Sequence, residues 1–259
     1  MEKIKFCIFG SGYLGGIVAK AWCDGFLPDY ELTGICGRNA EKTKALCETV
    51  KVPAAANLEE LLERNPRIVV EAASVAAVRQ IAEAVVSRGM ELATLSIGAF
   101  ADRDFYDRIA AAARAGGGRV HIASGAVGGF DVLRTISLMG QAQASFETHK
   151  GPNSLKNTPL YEDSLQLQPK QVFSGSAAQA IAQLPTKVNV AVAASLATTG
   201  PENIQVSIHS EPGFVGDNHK ITAEIPGYRT VVDTYSETSS IAGWSVVALL
   251  QNLASPIMF

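Results

Sequence analysis

The chain has 259 residues, enough for one large domain or two closely joined ones, and its 47% apolar and 18% charged content is that of a globular enzyme, not of a disordered or fibrous chain. A formal net charge of −3, with no basic cluster interleaved with aromatics, speaks against nucleic acid as a partner. No apolar run approaches the roughly 20 residues that span a bilayer, and no signal-type segment opens the chain, so the expectation is a cytoplasmic protein without membrane association.

Residues 4–9 (IKFCIF) form a short apolar run of β character that breaks into Gly10-Ser11-Gly12-Tyr13-Leu14-Gly15 and then into a helix-compatible stretch at 17–22. This is G-x-G-x-x-G between a strand and a helix, the context in which it signals a dinucleotide site. Gly10 permits the tight turn, Gly12 lets backbone approach a pyrophosphate, Gly15 lets helix and strand pack closely, and the helix N-terminus attracts phosphate charge. Gly10, Ser11, Gly12, Tyr13, Leu14 and Gly15 are therefore candidate cofactor contacts.

Strand and helix patterns then alternate. Strands are predicted at 31–36 (ELTGIC), 67–72 (RIVVEA), 91–97 and 119–123, and helices at 40–50, 75–88 and 102–115. The succession implies a doubly wound parallel sheet, a Rossmann domain over residues 1–125. At the end of the second strand, where NAD-selective sites place a carboxylate for the ribose 2′-hydroxyl, stands Cys36-Gly37-Arg38-Asn39. Arg38 suits a 2′-phosphate, which favours NADP over NAD, or use of both. Ala73 and Ser74 follow one sheet strand and Gly98 another, at the rim where open α/β sheets bind ligands. Cys7, Cys23, Cys36 and Cys47 show no C-x-x-C spacing, so they read as packing residues and no metal site is expected.

Beyond residue 125 the pattern changes. Alternating segments at 143–150, 168–174, 203–210, 219–225 and 228–235 predict an antiparallel sheet, with helices at 177–183 and 188–197 covering one face. This α+β substrate and oligomerisation domain spans 126–239, and a last helix within 240–259 is expected to return to the first domain. An open sheet leaves a face or edge that needs cover, so a homodimer or higher homo-oligomer is expected. Among the histidines, His121 falls in a predicted buried strand and His209 on a strand surface. His149 is followed directly by Lys150, a basic pair at the end of a predicted strand.

Three blocks carry a family likeness: Ser124-Gly125-Ala126-Val127-Gly128-Gly129-Phe130-Asp131, Lys187-Val188-Asn189-Val190-Ala191 and Asp217-Asn218-His219-Lys220-Ile221. In order and spacing they resemble the L-aspartate dehydrogenase family, and the likeness runs from Gly10 to the final helix. The resemblance implies that Ala126 and Asn189 line nicotinamide and substrate, that Ser124 and Lys150 contact substrate, and that His219 is the catalytic histidine. The implied reaction interconverts an α-amino acid with its imine, and hence with a 2-oxo acid and ammonia, by hydride transfer to NAD or NADP. Histidine suits such chemistry because it exchanges protons near neutral pH. Before its last helix this chain carries Tyr235-Ser236-Glu237-Thr238-Ser239 where the family has Asn-Pro-Lys-Thr-Ser, so Glu237 reverses a charge and the substrate is aspartate or a relative.

Two other readings share the two-domain plan. Reductases of the dihydrodipicolinate reductase or glucose-fructose oxidoreductase type usually show a Lys-Pro pair, which this chain lacks. A non-catalytic nucleotide-binding protein would have no need of Asn189 and His219.

Overall fold

The computed structural model describes residues 2–184 and 188–258. The chain divides into two compact units, residues 1–125 with 240–259, and residues 126–239.

In the first unit, β1 (Ile4–Phe9), α1 (Tyr13–Cys23), β2 (Tyr30–Cys36), α2 (Ala40–Val50), β3 (Ala54–Ala55), α3 (Leu58–Leu62), β4 (Ile68–Glu71), α4 (Val75–Val86), β5 (Glu91–Thr94), α5 (Arg103–Gly116) and β6 (Arg119–Ile122) follow in order. All neighbouring strands pair in parallel, in the order β3-β2-β1-β4-β5-β6. The order reverses between β1 and β4, the switch point at which a doubly wound sheet opens a crevice. β1 is central, so Phe6, Cys7 and Ile8 are fully buried. Burial pushes the Cys7 thiol up to about 12, as expected of a packing cysteine.

The C-terminal helix Ser240–Ala254 adds Val246, Val247 and Leu250 to this core. The hydroxyl of Tyr30, itself packed edge-on against Phe6, donates to the Leu250 carbonyl at 2.6 Å. A buried phenol needs such a partner, and the bond ties the two ends of the chain together within one core.

The second unit contains α6 (Phe130–Met139), β7 (Gln143–Lys150), β8 (Lys170–Ser176), α7 (Ala177–Gln183), α8 (Asn189–Ala197), β9 (Gln205–Ser210), β10 (Asp217–Ile225) and β11 (Tyr228–Ser236). Its sheet runs β11-β10-β7-β9-β8. The expectation of a purely antiparallel sheet is corrected here: β7 and β9 pair in parallel, and the other three pairings are antiparallel. Two helices, α7 and α8, lie between β7 and β9 in sequence, long enough a connection for the crossover that a parallel pair requires.

Other differences have local causes. The strand expected at 91–97 ends at Thr94, where the side chain of Glu71 captures Ser96, and a 3-10 turn occupies Ile97–Ala101. Helix α6 escaped the sequence reading. Its N-cap, Gly129, has left-handed backbone with no side-chain cap, and β-branched Val132, Thr135 and Ile136 weaken its helical signature. His121 is half-buried rather than in the core, and its Nε2 lies 2.5 Å from Glu91 Oε2.

Candidate functional sites

In the first unit, β1 runs straight into the glycine turn. Gly10 has φ +133, and a Cβ there would come within 2.5 Å of the Ala72 carbonyl oxygen. At Gly15 a Cβ would sit 1.8 Å from the Gly10 carbonyl oxygen, so the first turn of α1 lies against the loop only because both side chains are absent. Gly12 is the N-cap of α1 and its outer side faces open space. The result is a cleft of about 650 Å³ with backbone N–H groups at a helix N-terminus on one wall.

Gly10, Ser11, Gly12, Arg38, Ala73 and Ser74 all line this cleft. Tyr13 and Leu14 lie outside its lining: Tyr13 is 62% exposed, and Leu14 packs on the core. Gly15 and Gly98 are buried outside the lining too, Gly98 within the 3-10 turn. The buried Thr43 hydroxyl sits 2.7 Å from Ser11 Oγ and 2.8 Å from the Asn39 carbonyl oxygen, linking the glycine loop to the end of β2. Lys42, exposed like Arg38, adds a second cation to that wall. The sequence reading missed Lys42, one helical turn beyond Arg38, although a second basic residue at the start of α2 was a visible signal.

Glu71 was missed too. It ends the otherwise apolar β4, is fully buried, and accepts five hydrogen bonds. Its Oε1 receives the amides of Ala73 and Ser74 at 2.8 and 2.9 Å and the Ser96 hydroxyl at 2.9 Å, while Oε2 receives the Thr94 hydroxyl at 2.7 Å and the Ser96 amide at 3.1 Å. A buried carboxylate survives only when so satisfied, and here it shapes the loops leaving β4 and β5. A lone carboxylate closing an all-apolar strand was the available clue.

The second unit holds a separate cavity of about 220 Å³ between the sheet and its helices, lined by Phe146, Thr148, Lys150, Asn189, Asp217 and His219 among others. Antiparallel register brings its polar side chains together: His219 on β10 is paired with Thr148 on β7, and Asp217 with Lys150. His219 is 5% exposed, its Nδ1 lies 2.9 Å from Thr148 Oγ1, and its ring is 5.7 Å from that of Phe146. Burial, reinforced by the Lys150 ammonium and opposed by Asp217, lowers its pKa to about 4. His219 is therefore a neutral base at neutral pH, with Nε2 left to meet a ligand. Lys150 Nζ pairs with Asp217 Oδ1 at 3.1 Å, and its side chain is 18% exposed. Asn189 opens α8.

Of the predicted site residues, the second unit thus gathers Lys150, Asn189 and His219 in one cavity, together with Thr148, which no motif marked. His149 projects from the opposite face of β7, since Thr148 and Lys150 line the cavity and strand side chains alternate. Ser124 and Ala126 are half-buried and line neither site; they stand at the two sides of the division between the units. Lys187 lies outside the described residues. Among the described residues no helix is long and apolar enough to cross a membrane.

An L-aspartate dehydrogenase from Methanocella arvoryzae is 32% identical, over 96% of this chain and 97% of its own. The chain belongs to the L-aspartate dehydrogenase family. The family member from Methanocaldococcus jannaschii is 28% identical, with 98% of each chain covered. The region described as "Aspartate dehydrogenase, C-terminal" matches residues 131–253, and the one described as "Homoserine dehydrogenase, NAD binding domain" matches residues 10–123. The crystal structure of aspartate dehydrogenase from Thermotoga maritima has the same fold, with a TM-score of 0.80 over 100% of both chains at 24% identity. Membership in the L-aspartate dehydrogenase family makes this chain an NAD(P)-dependent oxidoreductase, in keeping with the cleft at the glycine turn.

Proposed function

We propose that this protein oxidises the α-amino group of aspartate, or of a closely related acidic amino acid, to an imine that water converts to the 2-oxo acid and ammonia, and that it catalyses the reverse reaction. The observation that carries the reading is the meeting of His219, Lys150 and Asn189 in one small cavity of a chain from this family. A nicotinamide dinucleotide, bound in the cleft of the first unit, supplies the acceptor for the hydride from the α-carbon. The glycine turn fits its pyrophosphate, because Gly12, at the N-terminus of α1, puts no side chain into the open space beside it.

Lys150 offers its ammonium to a substrate carboxylate, which would take up the role Asp217 plays in the free protein. Asn189, with an amide that both donates and accepts, holds a second polar group. His219, neutral in the free protein, takes a proton at Nε2 from the amine during oxidation, or from the water that attacks the imine carbon. The proton returns to the amine nitrogen in the reductive direction. The Thr148 hydroxyl at Nδ1 fixes the ring for that exchange.

Arg38 and Lys42 support a preference for NADP(H), since two cations at the end of β2 suit a 2′-phosphate. Self-association through the second unit is part of the same proposal, supported by Tyr228, Val231 and Tyr235, which β11 leaves exposed. The deciding assay follows NADPH oxidation with ammonia and oxaloacetate beside a panel of other 2-oxo acids. Oxaloacetate should give the highest kcat/KM, and absence of ammonia-dependent turnover with every acid would overturn the reading.

A further inference from the structure

The open face of the second sheet carries a cluster that the proposed chemistry does not use. Glu147-Thr148-His149 on β7 and His209-Ser210-Glu211 at the end of β9 are E-x-H and H-x-E triplets. The two strands are parallel, with His149 and His209 directly in register, so the outer residues of both triplets share one face. The imidazole rings stack at 4.6 Å with 9° between their planes, and the Glu211 amide, bonded to the Lys150 carbonyl at 3.0 Å, holds Glu211 beside the pair. One ligand atom each from Glu147, His149 and His209 lie within 4.8 Å of one another.

The hydrogen bonding around His149 is lopsided. Its Nδ1 lies 2.5 Å from Glu211 Oε1 and its Nε2 3.2 Å from Glu147 Oε1. In a neutral imidazole whose Nδ1–H donates to Glu211, Nε2 is an acceptor facing another acceptor. Only a cation between them, a proton or a metal ion, turns that contact from repulsive to attractive. The 3.2 Å spacing is close to the roughly 3.3 Å that separates two ligands of a tetrahedral ion with bonds of about 2.0–2.1 Å. A carboxylate on the far nitrogen of a ligating histidine is the usual outer support of such a site.

We propose that Glu147, His149 Nε2 and His209 bind a divalent transition-metal ion of the zinc class, with Glu211 orienting His149 from behind and one coordination position left to water. Binding requires His209 to turn from its stacked position toward the ion. The metal would clasp the parallel β7–β9 pair on the face opposite the His219 cavity. This site does not depend on the proposed substrate.

The test is calorimetric titration of the chelator-treated full-length protein with ZnCl2 at neutral pH, paralleled by CoCl2 titration read by visible absorption and by melting temperature with and without zinc. Wild type should take up one ion per chain, show the cobalt bands of a tetrahedral site, and melt higher with zinc. His149→Ala and His209→Ala should abolish saturable binding, and Glu211→Gln should weaken it by about 10–100-fold. His121→Ala, which removes a histidine–glutamate pair in the other unit, should bind like wild type. Circular dichroism of each variant establishes that it is folded, and His209→Gln replaces any that is not. No saturable binding, binding that survives both histidine variants, or one ion per two chains would each overturn the assignment.

Discussion

The hydroxyl of Thr148 lies 2.9 Å from Nδ1 of His219, across the pairing of β7 with β10. The contact selects which imidazole nitrogen remains for a ligand. Thr148→Val keeps the shape and removes the hydroxyl. We expect turnover to fall about tenfold, the kinetic equivalent of losing one modest hydrogen bond, with the NADPH dissociation constant unchanged. Thr148→Ser should restore most of the loss, and if Val and Ser behave alike the hydroxyl has no positioning role.

His219→Ala should lower turnover by roughly 10²–10⁴-fold, the usual worth of a positioned acid–base group. Cofactor affinity should stay within a factor of two or so, because the dinucleotide is proposed to rest on the other unit. Melting temperature, NADPH dissociation constant and turnover measured on one preparation separate this from a purely structural role, for which the folded fraction would keep its turnover.

Burial lowers the His219 pKa from 6.5 to about 4, and this has a consequence for acid stability. Below 6.5 the unfolded chain gains a proton at this residue that the folded chain refuses until about pH 4. Stability is thus lost as pH falls through that window, by up to about 3 kcal/mol from this group. At His149 partial burial lowers the pKa, but the bonds to Glu211 and Glu147 together outweigh it and hold the pKa above the ordinary value, so this residue acts in the opposite sense: its contribution is full at low pH and lost as pH rises. The His219 effect is therefore read as a difference: His219→Gln should lose less stability than wild type between pH 6.5 and 4 in urea titrations. Parallel curves for the two proteins would contradict the buried neutral imidazole.

Arg38→Ala should weaken NADPH binding by about 1–3 kcal/mol and leave NADH nearly unchanged, as expected for a charge-assisted bond to the 2′-phosphate. Lys42→Ala should act in the same direction. Equal losses with both cofactors would remove these residues from cofactor choice.

Glu71→Gln places an amide group among donors that now point at carboxylate oxygens. At least one buried donor then lacks an acceptor, so we expect a loss of about 1–3 kcal/mol in stability together with weaker dinucleotide binding. Glu63→Gln, an exposed control, should change neither. In light scattering at micromolar concentration, the wild-type protein should have at least twice the mass of one chain; a monomer would count against self-association.

Much of the first unit was legible from sequence because its signals are local. A β-prone run followed directly by Gly10 and Gly15 specifies a turn that a side chain at either position would block, and the helix at 40–50 follows from the strand–helix alternation. The histidine and lysine of the second unit were named from a family likeness, without a reason visible in their spacing. What sequence order could not express is register. Thr148 meets His219 across 71 positions, Lys150 meets Asp217, and His149 stacks on His209, each because a particular strand pairing puts them opposite one another. The parallel β7–β9 pair is a tertiary outcome of the same kind, because alternation of apolar and polar residues fixes which face a strand buries but not the direction of its neighbour. Glu71 shows the same limit: beside the nearby amides of Ala73 and Ser74, its carboxylate is tolerable only because the Thr94 hydroxyl and the Ser96 amide and hydroxyl, more than twenty positions away, converge on it once β4 and β5 pair.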